Sequence, residues 1–253
     1  MPEPVKFLAF DTSTDRMSVA LTDGVRVWQH SGPGGAQAST TLIPAILALL
    51  AEAGLALGEL DAIAFGRGPG SFTGLRTACA VAQGLALGAN QGAGIPVLPI
   101  DTLMALAEEA RFEQHGAAAA PAPLRVTALL DARMDEMYVQ AFEFSAGAWR
   151  PLAECELIRP ENLLPDAATG LLAGNVFTVY AERLPAGLAG FAQAEALPTA
   201  TAMLRLAPAL AAAGHCVSAE LALPLYVRDK VALTTEERDL VKAARLAGSL
   251  PLP

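Results

Sequence analysis

The chain opens on a short, nearly continuous apolar run, Val5-Lys6-Phe7-Leu8-Ala9-Phe10, the pattern of a strand buried on both faces. A polar turn, Asp11-Thr12-Ser13-Thr14-Asp15, separates it from Met17-Ser18-Val19-Ala20-Leu21, which alternates like a second strand. Asp23-Gly24 is a hairpin signal, and Val25-Arg26-Val27-Trp28 reads as the third strand. A Gly-rich loop from Gly32 to Gly35 then leads into a helix over residues 39–53, with Ser39 or Thr40 as its cap and Pro44 near its first turn. A strand at 62–65, a glycine loop at 66–72 and a helix at 73–87 follow. Next come a strand at 96–100, a helix at 102–111 and an Ala/Pro-rich linker at 116–123.

After the linker the opening pattern returns. Val126-Thr127-Ala128-Leu129-Leu130 reads as a strand, Asp131 to Glu136 as a polar turn, and Met137 to Phe142 as a strand, with a second turn at Gly147. Strand, Asp-led turn, strand, turn, strand thus occurs twice, and internal repetition of this kind points to two related lobes. A βββαβα lobe used twice describes the actin, sugar-kinase and Hsp70 architecture, an α/β fold with mixed sheets flanked by helices. On this reading residues 1–105 form the first lobe, 106–220 the second, and 221–253 a tail with a closing helix.

Composition narrows the function. The 253 residues carry a net charge of −9, so a nucleic-acid phosphate backbone would mostly be repelled, and affinity for it at physiological salt is expected to be weak. The three cysteines form no CxxC and read as reduced thiols, and the three histidines are scattered without metal-ligand spacing. No bound metal or cofactor is therefore expected. Apolar stretches are too interrupted to span a membrane, and the acidic start resembles no signal peptide, which places the chain in the cytoplasm.

The loudest local signal is the loop Gly66, Gly68, Pro69, Gly70, Ser71 and Gly74 between a strand and a helix. Free N–H groups at such a helix start can hold an anion, but no GK[ST] follows and the third Gly of GxGxxG is missing. The alternative is a tight turn whose glycines let helix and sheet approach closely. Asp11, Thr12, Ser13 and Asp131 sit where a nucleotide-binding lobe keeps its phosphate turns, as a vestigial phosphate site or as ordinary Asx-type turns. The second turn has no glycine, and Arg133 and Met134 would crowd a phosphate. The helices at 39–53 and 73–87 are apolar all round, so each is buried in the core or in an interface. Leu42, Ile46, Thr77, Val81, Gly84 and Gly88 are the interface candidates, and Leu75, Cys79, Ala82 and Leu85 form the stripe turned inward.

The string Gly66-Arg67-Gly68-Pro69-Gly70-Ser71-Phe72-Thr73-Gly74-Leu75-Arg76 resembles the TsaB family, also called YeaZ. Phe10-Asp11-Thr12-Ser13, Ala82-Gln83-Gly84-Leu85-Ala86, Asp131-Ala132-Arg133, Tyr138 and Pro224-Leu225-Tyr226-Val227-Arg228 match it in order. The resemblance implies the two-lobed actin-like fold and a part in placing threonylcarbamoyl on N6 of adenosine 37 in tRNAs reading codons that begin with A. It also implies a subunit without chemistry of its own. Such a subunit pairs with the catalytic paralogue TsaD or with itself through lobe-one helices, works with the ATPase TsaE, and meets tRNA only through the complex. One departure stands out: Ala38 replaces the His that many members carry before the first helix's Ser. The rivals are a free-standing ATPase or small-molecule kinase on the same fold, and a protease with Ser71 or Ser13 as nucleophile. The first is disfavoured by the glycine-free Asp131 turn, the second by the lack of a well-placed histidine base.

Overall fold

The computed structural model describes residues 5–117 and 123–228. The first sheet contains β1 (Phe7–Asp11), β2 (Arg16–Thr22), β3 (Val27–Pro33), β4 (Ala62–Gly68) and β5 (Val97–Asp101), in the order β3-β2-β1-β4-β5. The first three strands pair antiparallel, and β4 and β5 join them in parallel. Parallel neighbours require crossover connections, supplied here by α1 (Ala38–Ala53) before β4 and α2 (Phe72–Gly88) before β5. Helix α3 (Thr102–His115) follows.

The second sheet holds β6 (Leu124–Asp131), β7 (Met137–Ser145), β8 (Ala148–Pro151), β10 (Leu171–Gly174) and β11 (Gln193–Glu195), with β9 (Glu156–Ile158) paired to β7. Its order, β11-β10-β6-β7-β8, is that of the first sheet, strand for strand. The helices differ. Where the first half has α1, the second has a single 3-10 turn at Pro160–Asn162; where it has α2, the second has the one-turn α4 (Val176–Val179). Only α5 (Ala200–Ala212) is a full helix there.

Period-two alternation splits the strands of the first sheet between two cores. Leu8 and Phe10 of β1 and Ile63 and Phe65 of β4 face α1 and α2, while Phe7, Ala9, Ala62 and Ala64 face α3 and α5. The alanines on that second face make room for two helices between the sheets. Helix α5, the last α-helix among the described residues, lies on β1, β2, β4 and β5, whereas α3 lies on β6, β7 and β10 and also touches β4 and β5, and the two helices pack on each other. The first sheet is thus covered by a helix from the second half of the sequence, and α3 lies between the two sheets. A charge network closes this layer: Glu108, buried, accepts from Arg111 (2.8 and 2.9 Å), Arg205 (2.8 Å) and the Trp149 indole (3.0 Å).

Several boundaries differ from those expected. The third strand begins at Val27 and runs through Gly32, because the Asp23 carboxylate accepts from the N–H groups of Val25 and Arg26 and makes Val25 a turn residue. Helix α1 begins at Ala38 out of a 3-10 turn, with no side-chain cap; Thr40 lies inside it and donates to the Gln37 carbonyl. Pro44 lies in the helix interior, not in the first turn. Helix α3 continues past 111 to His115, where Gly116 caps it. Most of the 116–123 linker and the closing helix expected in the tail lie outside the described residues.

Candidate functional site

The β1–β2 turn and the β4–α2 loop are locked together by short bonds. The Thr12 hydroxyl donates to the Gly74 carbonyl (2.7 Å), and the Ser71 N–H donates to the Ser13 carbonyl (2.7 Å). A Cβ at Gly74 would collide with the Thr12 carbonyl, and one at Gly66 with the Asp11 carboxylate. A Cβ at Gly70 would also come too close to Ser13, and one at Gly68, joined to Pro69 by a cis peptide, to the carbonyl of Leu225, each at 2.6 Å. The glycines therefore serve close approach of backbone to backbone. At the start of α2 the Ser71 N–H is already spoken for by the protein.

Asp11 is fully buried. Its Oδ1 accepts from the Ser13 N–H (2.8 Å) and hydroxyl (2.6 Å), and Oδ2 faces the Thr102 hydroxyl at 3.5 Å. Burial raises its pKa from 3.8 to about 6, against the lowering effect of the Ser13 and Thr102 hydrogen bonds. Asp11 and Thr12 thus do not reach the cleft between the sheets, which corrects their assignment to a phosphate site; Ser13 and Asp131 do line it.

On the opposite wall, Asp131 accepts from the Tyr180 hydroxyl (2.7 Å) and the Arg133 N–H (2.8 Å), and its own N–H donates to Asn175 (2.8 Å). The turn beyond it holds Arg133, Met134 and Asp135 in succession at φ of 60°, 56° and 61°. Three non-glycine residues in the left-handed region are costly unless held from outside. Arg228 holds them: its Nη2 donates to the carbonyls of Ala132 (3.2 Å) and Arg133 (3.3 Å) and to the Glu136 carboxylate (2.7 Å).

Arg228 belongs to an extended segment, residues 222–228, that runs from α2 across to the second sheet. Cys79 and Gln83 of α2 donate to the Ala222 carbonyl, Leu225 N–H donates to the Arg67 carbonyl, and the Tyr226 ring packs on Phe72 at 5.6 Å. Sequence reasoning missed these roles of Arg228, Tyr180 and Asn175. The 224–228 motif stood out as a string, but nothing in it pointed at residues 131–136.

Together these elements bound a cleft of about 330 Å³. No histidine lines it, so Ser13 and Ser71 have no imidazole base there. Among the described residues, no group of three or more His, Cys, Asp or Glu side chains is arranged to hold a metal ion. Cys155 has its thiol pushed up to about 12, by burial first and then by Asp101, and such a thiol stays protonated and unreactive.

The exposed faces of α1 and α2 are the second feature. Leu42 and Ile46 point into the core beneath α1, at 1% and 0% exposure, which corrects their assignment to an interface. The apolar residues α1 turns outward include Ile43, Leu47, Ala48 and Ala51, with Leu47 55% exposed. On α2, Leu75, Cys79 and Ala82 are buried, Thr77 and Val81 half-buried, and Gly84, Leu87 and Gly88 exposed. Beyond Gly84 and Gly88 the space is open. Ala38, at the position of the family's His, is buried.

Residues 35–223 match the family model described as TsaD, tRNA N6-adenosine threonylcarbamoyltransferase. The chain is 35% identical to the tRNA threonylcarbamoyladenosine biosynthesis protein TsaB of Haemophilus influenzae, over 88% of this chain and 94% of that one. Against TsaB of Escherichia coli K12 the identity is 34%, over 90% and 96%. Among solved structures it superposes on YeaZ from Pseudomonas aeruginosa with a TM-score of 0.76 at 39% identity, covering 88% of this chain and 99% of that one.

Proposed function

The chain belongs to the TsaB family of tRNA threonylcarbamoyladenosine biosynthesis proteins, and on that premise we propose that it acts there as a non-catalytic scaffold subunit. It has the actin-like two-lobed α/β fold and functions in tRNA threonylcarbamoyladenosine biosynthesis. We read its partner as the catalytic paralogue TsaD, with TsaE completing the assembly and a second copy as the substitute partner when TsaD is absent. The transfer to N6 of adenosine 37 takes place on that partner, and tRNA is met only through the complex. No described helix is long and apolar enough to cross a membrane, in keeping with work in the cytoplasm. We keep residues 1–105 and 106–220 as the two lobes; the equal strand order of the two sheets supports a division into two related halves.

The apolar outer face of α1 and α2 is the observation that carries the partner reading. Leu47 and Leu87 are 55% and 57% exposed, with Ile43 beside the first and open space over Gly84 and Gly88. Such a patch is a liability in water and an asset in an interface. The turns support the non-catalytic reading. The Thr12–Gly74 and Ser71–Ser13 bonds occupy the space between the phosphate turn and the helix start. The test is Gly84→Arg, which has room in the isolated chain and places a long cation in the seam. The variant should fold, by circular dichroism, and fail to co-elute with TsaD. A folded variant that co-elutes like the wild type would put the interface elsewhere.

A further inference from the structure

The turn that forms one wall of the cleft depends on a side chain supplied from the other half of the fold. Arg133 and Met134 line the cleft, and with Asp135 they hold left-handed backbone with no glycine among them. Such a run persists only where its surroundings over-determine it. Backbone bonds from the Ala132 N–H to the Glu136 carbonyl (2.9 Å) and from the Glu136 N–H to the Arg133 carbonyl (3.2 Å) close the turn. The Ala132 and Arg133 carbonyls are in turn capped by Arg228 Nη2, which also meets the Glu136 carboxylate, while Nη1 lies 2.8 Å from the Met134 sulfur.

The segment that delivers Arg228 is fastened along α2. The Ala222 carbonyl accepts from Cys79 (2.9 Å) and Gln83 (3.0 Å), and the Leu225 N–H donates to the Arg67 carbonyl (2.7 Å). The Tyr226 ring lies 5.6 Å from that of Phe72, and its hydroxyl faces Arg76 Nε at 3.4 Å. Among the described residues, every hydrogen bond between 222–228 and the second sheet's half passes through Arg228; Val227 adds apolar packing against the core between the sheets. One end is thus held at several points, and the other by a single guanidinium. Arg76 belongs to the outward stripe of α2, with Ala80, Gly84 and Leu87, and sits 3.8 Å over the Phe72 ring. A group pressing on that stripe therefore reaches the segment at Tyr226.

We infer that residues 222–228 are a strap through which contacts on the outer stripe of α2 set the conformation of the 132–136 turn, and so of the cleft wall. The coupling runs from Arg76 and Phe72 to Tyr226, along the chain to Arg228, and from its guanidinium to the turn. The turn supplies the two-state element that such coupling requires. With Arg228 on its carbonyls it stays left-handed; without that cap it relaxes toward the backbone that non-glycine residues prefer. No bound partner is needed, so the test stands apart from the partner reading of the α1–α2 face.

The test follows amide hydrogen exchange in the full chain by NMR, at Ala132 and Glu136, whose N–H groups close the turn. Arg228→Met keeps the aliphatic stem and removes the guanidinium. Both amides should then exchange at least about tenfold faster, because charge-assisted hydrogen bonds to the turn are lost. Tyr226→Ala leaves Arg228 in place and removes a ring that is 46% exposed. It should speed the same two amides by about threefold or more, the worth of an aromatic pair. In both variants Val126 and Phe142, deeper in the β6–β7 ladder, should keep their wild-type rates. Unchanged exchange in Arg228→Met would show that the turn stands unaided. Unchanged exchange in Tyr226→Ala would show that Arg228 acts alone, with nothing transmitted from α2. Equal acceleration of Val126 and Phe142 would mean general loosening. Each of these results overturns the inference. If Arg228→Met does not fold, Tyr226→Ala decides by itself.

Discussion

The Thr12 hydroxyl reaches the carbonyl of Gly74, 62 residues away in sequence, at 2.7 Å. This bond, with the bare α-carbon of Gly74 against the Thr12 carbonyl, sets how closely α2 sits on the first sheet. Gly74, packed against backbone, and Gly84, facing open space, should therefore respond oppositely to one methyl group. Gly74→Ala drives a Cβ into backbone that cannot move aside and should cost about 1–3 kcal/mol or more. Gly84→Ala adds a Cβ in open space on a helix and should stabilise by up to about 1 kcal/mol. Urea denaturation of the two variants checks the pair, and equal signs would contradict the packing described.

Neighbouring positions on α1 should separate stability from assembly. Ile46→Ala empties a site at 0% exposure and should cost about 2–5 kcal/mol of stability. Leu47→Asp, on the exposed side, should leave the melting temperature within a few degrees of wild type and abolish co-elution with TsaD. Loss of folding in Leu47→Asp would mean that α1 has no free face.

Asp11 should make the protein more stable in mild acid than its other carboxylates would suggest. Its folded pKa of about 6 lies above the ordinary 3.8, chiefly because of burial. The folded form therefore holds the proton more tightly, and stability from this group is full below about pH 4 and lost as pH rises through 6. The difference corresponds to roughly 3 kcal/mol. Asp11→Asn, which cannot ionise, should gain on the wild type as pH rises from 4 to 6. Denaturation curves across that window measure the gap, and a constant gap would show that Asp11 is ionised throughout.

Glu108 should behave in the opposite sense. Burial would raise its carboxyl, but hydrogen bonds from Arg111 and Trp149, with Arg205, outweigh that and hold it below the usual carboxylate range. Its contribution is present above the ordinary carboxylate pKa and lost as pH falls through the depressed one. Glu108→Gln leaves Arg111 without an acidic partner, while Arg205 keeps Glu109, and should cost about 3 kcal/mol or more at neutral pH. A loss under about 1 kcal/mol, the level of an exposed pair, would mean that water reaches the network.

Much of the fold was legible along the chain because its determinants are local. Apolar runs at 5–10, 126–130 and 137–142 and alternation at 17–21 marked four strands within a few residues of their bounds, and Asp-led turns between them exposed the repeat. Runs from glycine to glycine after β4 announced a backbone contact, though not with what. Boundaries were misplaced where side chains overrode propensity, as when the Asp23 carboxylate took Val25 into a turn.

By itself the sequence determined the order of strands and helices as far as the second strand after the linker, the family, and the acidic net charge, since each depends on residue type and near-neighbour spacing. Tertiary structure alone decided which side of an all-apolar helix becomes core. Leu42 and Leu47 are equally apolar, and only the position of the first sheet buries one and exposes the other. It alone laid α5 on the first sheet, and brought Arg228 to the carbonyls of Ala132 and Arg133. Those pairings join segments far apart along the chain. No local pattern encodes them, because they depend on the sheets first forming and then presenting their faces to whatever segment the chain brings back.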